Sequence, residues 1–457
     1  MTQHNVDLVV LGGGSGGYAA ALRAAELGKS VVLIEKDKVG GTCLHRGCIP
    51  TKALLHAAEV ADAARDAASF GVRARLDGID AAGLRAYREG IVAKKYKGLQ
   101  GLINARGITV VEGTGTLASD RTVHVGDDVY AGTDVVLATG SYSRSLPGLE
   151  IGGRIITSEQ ALELDEVPAS VVILGGGVIG VEFASVWRSF GVDVTIVEAL
   201  DHLVPNEDVA LSKGLERAFR KRGIASSLGV RFASATQTAD AVTVTLEDGK
   251  TLTADYLLVA VGRGPATDGL GFEAAGVVVE RGFVHTDATL QTDLAHVWAV
   301  GDIVRGLQLA HRGFAQGIFV AEQIAGLAPV PVPESQIPRI TYCSPEVASV
   351  GLTEAQAVAA HGADGVTSYE YSLNGNGKSE IIGTTGLVKV VRAAGGPILG
   401  VHLLGDRMGE LITEGQLAVA WEAFPDDIAP YIHAHPTQSE SLGEAFLALA
   451  GKPLHAL

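Results

Sequence analysis

The chain has few cysteines, too few basic residues to balance its acids, and no long apolar run. It carries three cysteines in 457 residues, Cys43, Cys48 and Cys343; a secreted disulfide scaffold uses more, in even number. Lys+Arg 36 against Asp+Glu 52 leaves a formal charge of −16. Such a surface repels phosphate backbones and anionic lipid, so neither nucleic acid nor a membrane is an expected partner. No stretch approaches the ~18 apolar residues of a membrane helix. The opening MTQHNVDLVV lacks a basic segment and a cleavage site, so the expected location is the cytoplasm. Low-complexity tails and short-period repeats are missing too. At 47% hydrophobic and 19% charged the composition is that of a soluble globular protein. A single core rarely grows past ~250–300 residues, so at least two domains are expected, more readily three.

Glycine, by contrast, is plentiful at 59 residues, and its positions carry the first signal. In VDLVVLGGGSGGYAAALRAAELGKSVVLIEKD the short apolar run from Val6 to Leu11 predicts a buried strand. Gly12, Gly14 and Gly17 follow in G-x-G-x-x-G spacing, then an Ala-rich helix to Leu27 with Gly28 as its cap, then a strand from Ser30 that ends at Glu35. This is the pattern of a βαβ dinucleotide unit. Gly12 permits the tight turn, Gly14 lets backbone approach a pyrophosphate, and Gly17 lets helix pack on strand; the helix N-terminus offers N–H groups to the phosphates. The pattern returns in ASVVILGGGVIGVEFASVWRSFGVDVTIVEAL, with Gly175, Gly177, Gly180 and Gly191, and with Glu198 at the same offset. One such motif is a weak signal that a plain turn can imitate. Two copies, each between strand and helix and each with its acid, predict a chain that holds two dinucleotides.

Strands leaving through glycine at DVVLATGSYSRSLPG (134–148) and TADYLLVAVGRGPAT (253–267) are the expected domain crossings, and TDLAHVWAVGDI predicts a strand ending at Gly301 and Asp302. The four prolines of PVPVPESQIP (329–338) mark a linker. Beyond it, alternating segments such as GLVKVVR and ILGVHLLG precede a helical ELITEGQLAVAWEA, an α+β pattern. The fold class is therefore α/β: two Rossmann-like dinucleotide-binding domains plus a C-terminal α+β domain. The expected divisions are 1–147, 148–270, 271–335 and 336–457.

Two segments carry reactive residues. GGTCLHRGCIPTKALLHAAEVADAA places Cys43 and Cys48 directly after the first unit's acid. Pro50 should start or kink a helix running through Lys52 to about Ala64, leaving Cys48 near a positive helix end that favours thiolate. A zinc site would need more ligands than the nearby His45 and His56, so no metal is expected and a redox pair is. Near the C-terminus stands HAHPTQSES, with His433, His435 and, five residues after His435, Glu440. A His–carboxylate pair of that kind fixes the ring tautomer and strengthens the imidazole as a base; a solvated polar loop is the bland alternative.

The segments GGTCLHRGCIPTKALLH, ATGS, GGGVIGVEFASVW, VGRGPAT, AVGDI, LAH, SPEVASVGLTE and HAHPTQSE together resemble the flavoprotein disulfide reductases over the whole chain, and within them the dihydrolipoamide dehydrogenase branch. The resemblance implies FAD bound through Gly12, Gly14, Gly17, Glu35, Lys52, Gly115, Ser141, Asp302, Leu309, Ala310 and His311. It implies NAD bound through Gly175, Gly177, Gly180 and Glu198, with Gly262 nearby. Cys43 would be the interchange thiol and Cys48 the flavin-side thiol of a redox disulfide; Lys52 and Glu182 would form an ion pair near the flavin. His435 would be the general base, oriented by Glu440, with a cis bond to Pro436. In such enzymes the dyad comes from a second subunit, so a homodimer with its interface at 336–457 is implied. The implied reaction oxidises dihydrolipoyl groups with NAD+: a substrate thiol deprotonated by His435 attacks the Cys43–Cys48 disulfide, and the electrons pass through FAD to NAD+. The implied partners are dihydrolipoamide and, in the cell, a lipoylated acyltransferase of a 2-oxo acid dehydrogenase complex or the H protein of glycine cleavage.

The chain departs from the family pattern in places. His45 and Arg46 stand where Asn-Val is common; they could favour thiolate, though solvated surface is the expectation. Thr51 replaces a common Ser, Gly264 stands where a second Arg is frequent, and Cys343 has no expected chemistry. Glutathione- and mercuric-reductase-like enzymes are the alternative. They use NADP, whereas the Glu198 carboxylate would accept from a 2′-hydroxyl and repel a 2′-phosphate; the terminus GKPLHAL also lacks the cysteine pair of mercuric reductases. A non-catalytic scaffold would not need the intact set of Cys43, Cys48, His435 and Glu440.

Overall fold

The computed structural model describes residues 2–456. They form two compact units. One holds Met1–Ala53, Asp80–Arg144 and Gly262–Glu334; the other holds Leu54–Ile79, Ser145–Val261 and Ser335–Leu457.

The first unit is organised by a seven-stranded sheet. Its parallel part runs Thr109–Glu112, Val31–Glu35, Thr2–Leu11, Asp128–Leu137 and Val297–Ala299. Thr122–Val125 and Thr116–Leu117 extend it antiparallel. The central strands are apolar on both faces, with Leu8, Val9 and Val10 fully buried, as a sheet covered on both sides requires. The helix Ser15–Glu26 covers one face and packs on the helix Ala310–Ile324. Gly317 makes that approach possible: a Cβ there would stand 2.3 Å from the Gly16 carbonyl. The first strand begins earlier than its apolar run, because Thr2–Asn5 pair with Asp128–Ala131 across a polar, exposed edge.

The second unit repeats the parallel theme in the order Ala225–Leu228, Asp193–Glu198, Ser170–Leu174, Tyr256–Val259, Ile155–Thr157. The helix Val178–Ser189 packs on it. A five-stranded antiparallel sheet follows the proline-rich segment, ordered Arg339–Thr341, Glu346–Gly351, Ile398–Gly405, Leu387–Ala393, Val366–Ser372. The helices Met408–Ala420 and Glu440–Leu449 cover it. Leu387 and Leu404 of this sheet share a core with Val181, Phe219 and Leu215 of the dinucleotide-type fold. The helix Val209–Arg222 reaches the sheet at Gly214, where a Cβ would lie 2.2 Å from Leu404. The architecture is thus α/β, with two Rossmann-like folds and a C-terminal α+β part. Among the described residues no helix is long and apolar enough to cross a membrane.

The two crossings pair with each other: Ser141–Ser143 and Arg263–Pro265 form an antiparallel ribbon, and the Arg144 amide donates to the Gly262 carbonyl at 3.0 Å.

Candidate active site

Each glycine motif sits between a strand and a helix N-terminus, and each glycine has a different reason to be there. Gly12 and Gly175 adopt φ of +105° and +107°, a backbone that favours glycine. At Gly17 and Gly180 a Cβ would fall 1.8 Å and 1.9 Å from the carbonyls of Gly12 and Gly175, so helix and turn touch backbone to backbone. At Gly14 and Gly177 a Cβ would meet nothing within 4 Å; these face the open ground a pyrophosphate needs. The acids close each loop: Glu35 accepts from the Gly13 amide at 2.7 Å and Glu198 from the Gly176 amide at 2.6 Å. Burial raises the Glu35 pKa, partly offset by the Gly13 amide.

After the first acid the chain turns through Gly40 into the short helix Gly41–His45 and then the helix Cys48–Asp66. This second helix begins at Cys48 itself, with Pro50 in its first turn, where a missing N–H costs nothing. Cys43 and Cys48 are both half-buried, with a hydrogen bond between their side chains. That bond, then burial and the neighbouring Cys48 and Asp302, push the Cys43 thiol well up, while Lys52 pulls it down. Tyr18, which sequence reading did not single out, lies beside Cys43, and burial together with that thiol pushes its hydroxyl up to about 12. Asp302 accepts from the Ser141 hydroxyl at 2.5 Å, and Arg263 donates from Nε to that same hydroxyl at 2.8 Å. Leu309 caps the helix that Ala310 and His311 begin, and Gly115 lies tight against Leu11, Val123 and Ile34. Every residue assigned to FAD therefore belongs to the first unit, together with both thiols. Gly262 falls in the first unit too, two residues after Ala260, whose carbonyl a Cβ at Gly175 of the second loop would meet at 2.3 Å.

The departures from the family pattern find local reasons. His45 is not solvated surface: its Nε2 lies 3.0 Å from the Val39 carbonyl and its ring packs edge-on against Tyr96. Arg46 is exposed and ion-paired with Asp37. Gly264 leaves room for Tyr142, whose ring a Cβ would meet at 2.6 Å. Cys343 is fully buried, and burial raises its thiol pKa well above the usual value, which makes it inert.

In the second unit His435 and Glu440 meet: Nδ1 lies 2.7 Å from Oε1, and Oε2 accepts from the Thr437 amide at 2.7 Å. Burial pushes the Glu440 pKa up, but the Thr437 amide and His435 outweigh it and hold the carboxyl below its ordinary range. A carboxylate accepts only, so Nδ1 carries a proton, and in the neutral ring the lone pair is on Nε2. The His435–Pro436 bond is cis. A second pair, His433 Nε2 to Glu414 Oε1 at 2.8 Å, stands two residues away and escaped sequence reading. Glu182 is buried and accepts from the Tyr342 amide at 2.9 Å. Among the described residues no cluster could hold a metal ion.

Two open nucleotide cradles and a vicinal dithiol define a nucleotide-dependent disulfide oxidoreductase. Residues 6–317 match the pyridine nucleotide-disulphide oxidoreductase family and residues 337–446 match its dimerisation domain; the chain belongs to this family. It is 40% identical to a dihydrolipoyl dehydrogenase of Bacillus subtilis, over 98% of this chain and 99% of that one. A dihydrolipoyl dehydrogenase of Mycobacterium tuberculosis is 39% identical over 97% of this chain and 98% of its own. Among solved structures, LpdA of Mycobacterium tuberculosis matches with a TM-score of 0.89 at 27% identity, covering 98% of this chain and 100% of that one. RclA of Escherichia coli, an HOCl-induced flavoprotein disulfide reductase, matches with 0.85 at 27% identity, over 96% and 99%. The protein is an oxidoreductase whose cofactors are FAD and NAD, and it carries the part through which the family forms dimers.

Proposed function

We propose that this protein oxidises protein-bound dihydrolipoyl groups to lipoyl with NAD+, as the shared dehydrogenase of a 2-oxo acid dehydrogenase complex or of glycine cleavage. The observation that carries the reading is the hydrogen-bonded Cys43–Cys48 pair, with Lys52 beside it, in the unit of the first nucleotide loop. The donor sets suit both cofactors. Gly14 and Gly177 leave space for pyrophosphate at a helix N-terminus, and Glu35 and Glu198 present acceptors for ribose hydroxyls. Lys52, Gly115, Ser141, Asp302, Leu309, Ala310 and His311 complete the proposed FAD site. FAD, when bound, supplies a two-electron carrier between dithiol and NAD+.

The working oxidised form has a Cys43–Cys48 disulfide. His435 Nε2 takes a proton from one substrate thiol, and Glu440 holds the ring and stabilises the imidazolium. The thiolate attacks Cys43 and Cys48 leaves as thiolate; the second substrate thiol then displaces Cys43, giving lipoyl and a reduced enzyme dithiol. The Lys52 ammonium favours the thiolate forms. The His435–Glu440 dyad serves the partner subunit's thiols in a cytoplasmic homodimer. Anaerobic stopped-flow mixing tests this: dihydrolipoamide should reduce the oxidised holoenzyme and NAD+ should reoxidise it. Failure of dihydrolipoamide to reduce it, or preference for NADP+, would overturn the reading.

A further inference from the structure

The five-stranded sheet carries a row of polar side chains that the reaction does not use. Arg339 pairs with Ser349, Ser349 with His402, His402 with Lys389 and Lys389 with Glu370, so the row crosses all five strands on one face. Ser349, His402 and Lys389 are almost wholly buried. Facing them are two adjacent acids just before the helix Val209–Arg222. Glu207 accepts from Arg339 Nε at 3.1 Å and from the Ser349 hydroxyl. Asp208 accepts from Lys389 Nζ at 2.8 Å, from the Ala210 amide at 3.0 Å as the helix cap, and from the Glu354 amide at 3.0 Å.

The anchored acids end the segment that starts at Glu198. The Glu207 amide donates to the Val204 carbonyl at 2.9 Å, closing a turn, and the Val204 amide donates to the Gly176 carbonyl at 2.8 Å. Val204 is buried with φ of +44°, a conformation that a β-branched residue adopts only when its surroundings impose it. The first loop shows what the alternative looks like. There the residue that donates to the Gly13 carbonyl is Gly40, at φ +109°, which needs no restraint.

We propose that Glu207 and Asp208, seated on the Arg339–Ser349–Lys389 row, are positioning residues for NAD+: they hold Val204 in its strained turn and so fix Gly176 and Glu198 around the nucleotide. The proposal rests on reading the second glycine loop as the NAD site. The test uses the full-length, FAD-loaded protein. Glu207→Gln should raise KM for NAD+ about five-fold or more and slow reoxidation of the reduced enzyme by NAD+, while reduction by dihydrolipoamide stays within about two-fold of wild type. Ser349→Ala, which leaves every charge in place, should shift KM for NAD+ in the same direction and carries the test if Glu207→Gln does not fold. Adding Val204→Gly to either variant should bring KM for NAD+ back toward wild type, because glycine holds the turn without strain. Equal losses in both half-reactions, a lower Tm with unchanged KM, or no rescue by Val204→Gly would overturn the proposal. Glu198→Gln, run alongside, keeps the two failures apart: if it leaves the preference for NAD+ over NADP+ untouched, the reading of the loop has failed rather than the anchor.

Discussion

The first glycine loop is closed by Gly13 donating to Glu35 and Gly40 donating to Gly13; the second is closed by Gly176 donating to Glu198 and Val204 donating to Gly176. Up to that point the copies share one hydrogen-bond plan, and they part at the next residue. The first continues through Gly41 into the dithiol helices. The second continues to Glu207 and Asp208, which are tied to the antiparallel sheet. The shared plan leaves Gly14 and Gly177 open at a helix N-terminus, the arrangement proposed to seat a pyrophosphate. The divergence shows where each copy is specialised, the first for thiol chemistry and the second for attachment to the part that forms dimers.

The largest effect should come from the thiols that only the first copy carries. Cys43→Ser and Cys48→Ser should each lower lipoamide turnover by about a thousand-fold or more. FAD should stay bound, and reduction of the flavin by NADH should persist, because that step needs the two loops alone. Cys43→Ser should keep a long-wavelength band on two-electron reduction and Cys48→Ser should lose it. Turnover near wild type in both variants would dissolve the contrast between the copies.

His435 lies in the unit of the second loop and yet is proposed to serve the thiols of the first. His435→Gln should lower kcat by about a hundred-fold or more. A heterodimer of one His435→Gln chain and one Cys48→Ser chain should recover about half of wild-type activity, since one of its two sites is intact. Heterodimers as inactive as their parents, with FAD bound, would show that the base is not supplied in trans.

The loops themselves can be set against each other. Gly17→Ala and Gly180→Ala each force a methyl into a carbonyl, at a cost of about 1–3 kcal/mol. Gly17→Ala should yield protein depleted of flavin absorbance. Gly180→Ala should retain flavin and lose affinity for NAD+ in a titration. The smallest effect concerns Glu198: Glu198→Gln should narrow the kcat/KM preference for NAD+ over NADP+ about ten-fold, by removing a charge that repels a 2′-phosphate.

Much of this was legible in the sequence because it is local. The glycine spacing, Cys43 with Cys48, and His435 with Glu440 each lie within a few residues, and each Rossmann acid closes a single βαβ unit. The Arg339–Ser349–His402–Lys389–Glu370 row was not legible, since strand register alone assembles it, and a lysine among valines in a strand gives no hint of a buried carboxylate 181 residues away. The strain at Val204 left no trace either, because valine there reads as ordinary core. His45 was misjudged for a related reason: a histidine beside arginine looks solvated until Tyr96, on a distant helix, is brought against it.

The crossing ribbon has a consequence for how such a chain can be built. Arg144 and Gly262 are hydrogen-bonded neighbours, so the 145–261 stretch departs from and returns to nearly the same spot. A short turn could join its flanks without asking the seven-stranded sheet to re-pair a strand, but the stretch also shares a core with Leu387 and Leu404 and neutralises the buried Lys389 through Asp208, so an exchange with a relative has to bring the matching antiparallel sheet along. In genetic terms the unit of exchange is the stretch together with residues 335–457.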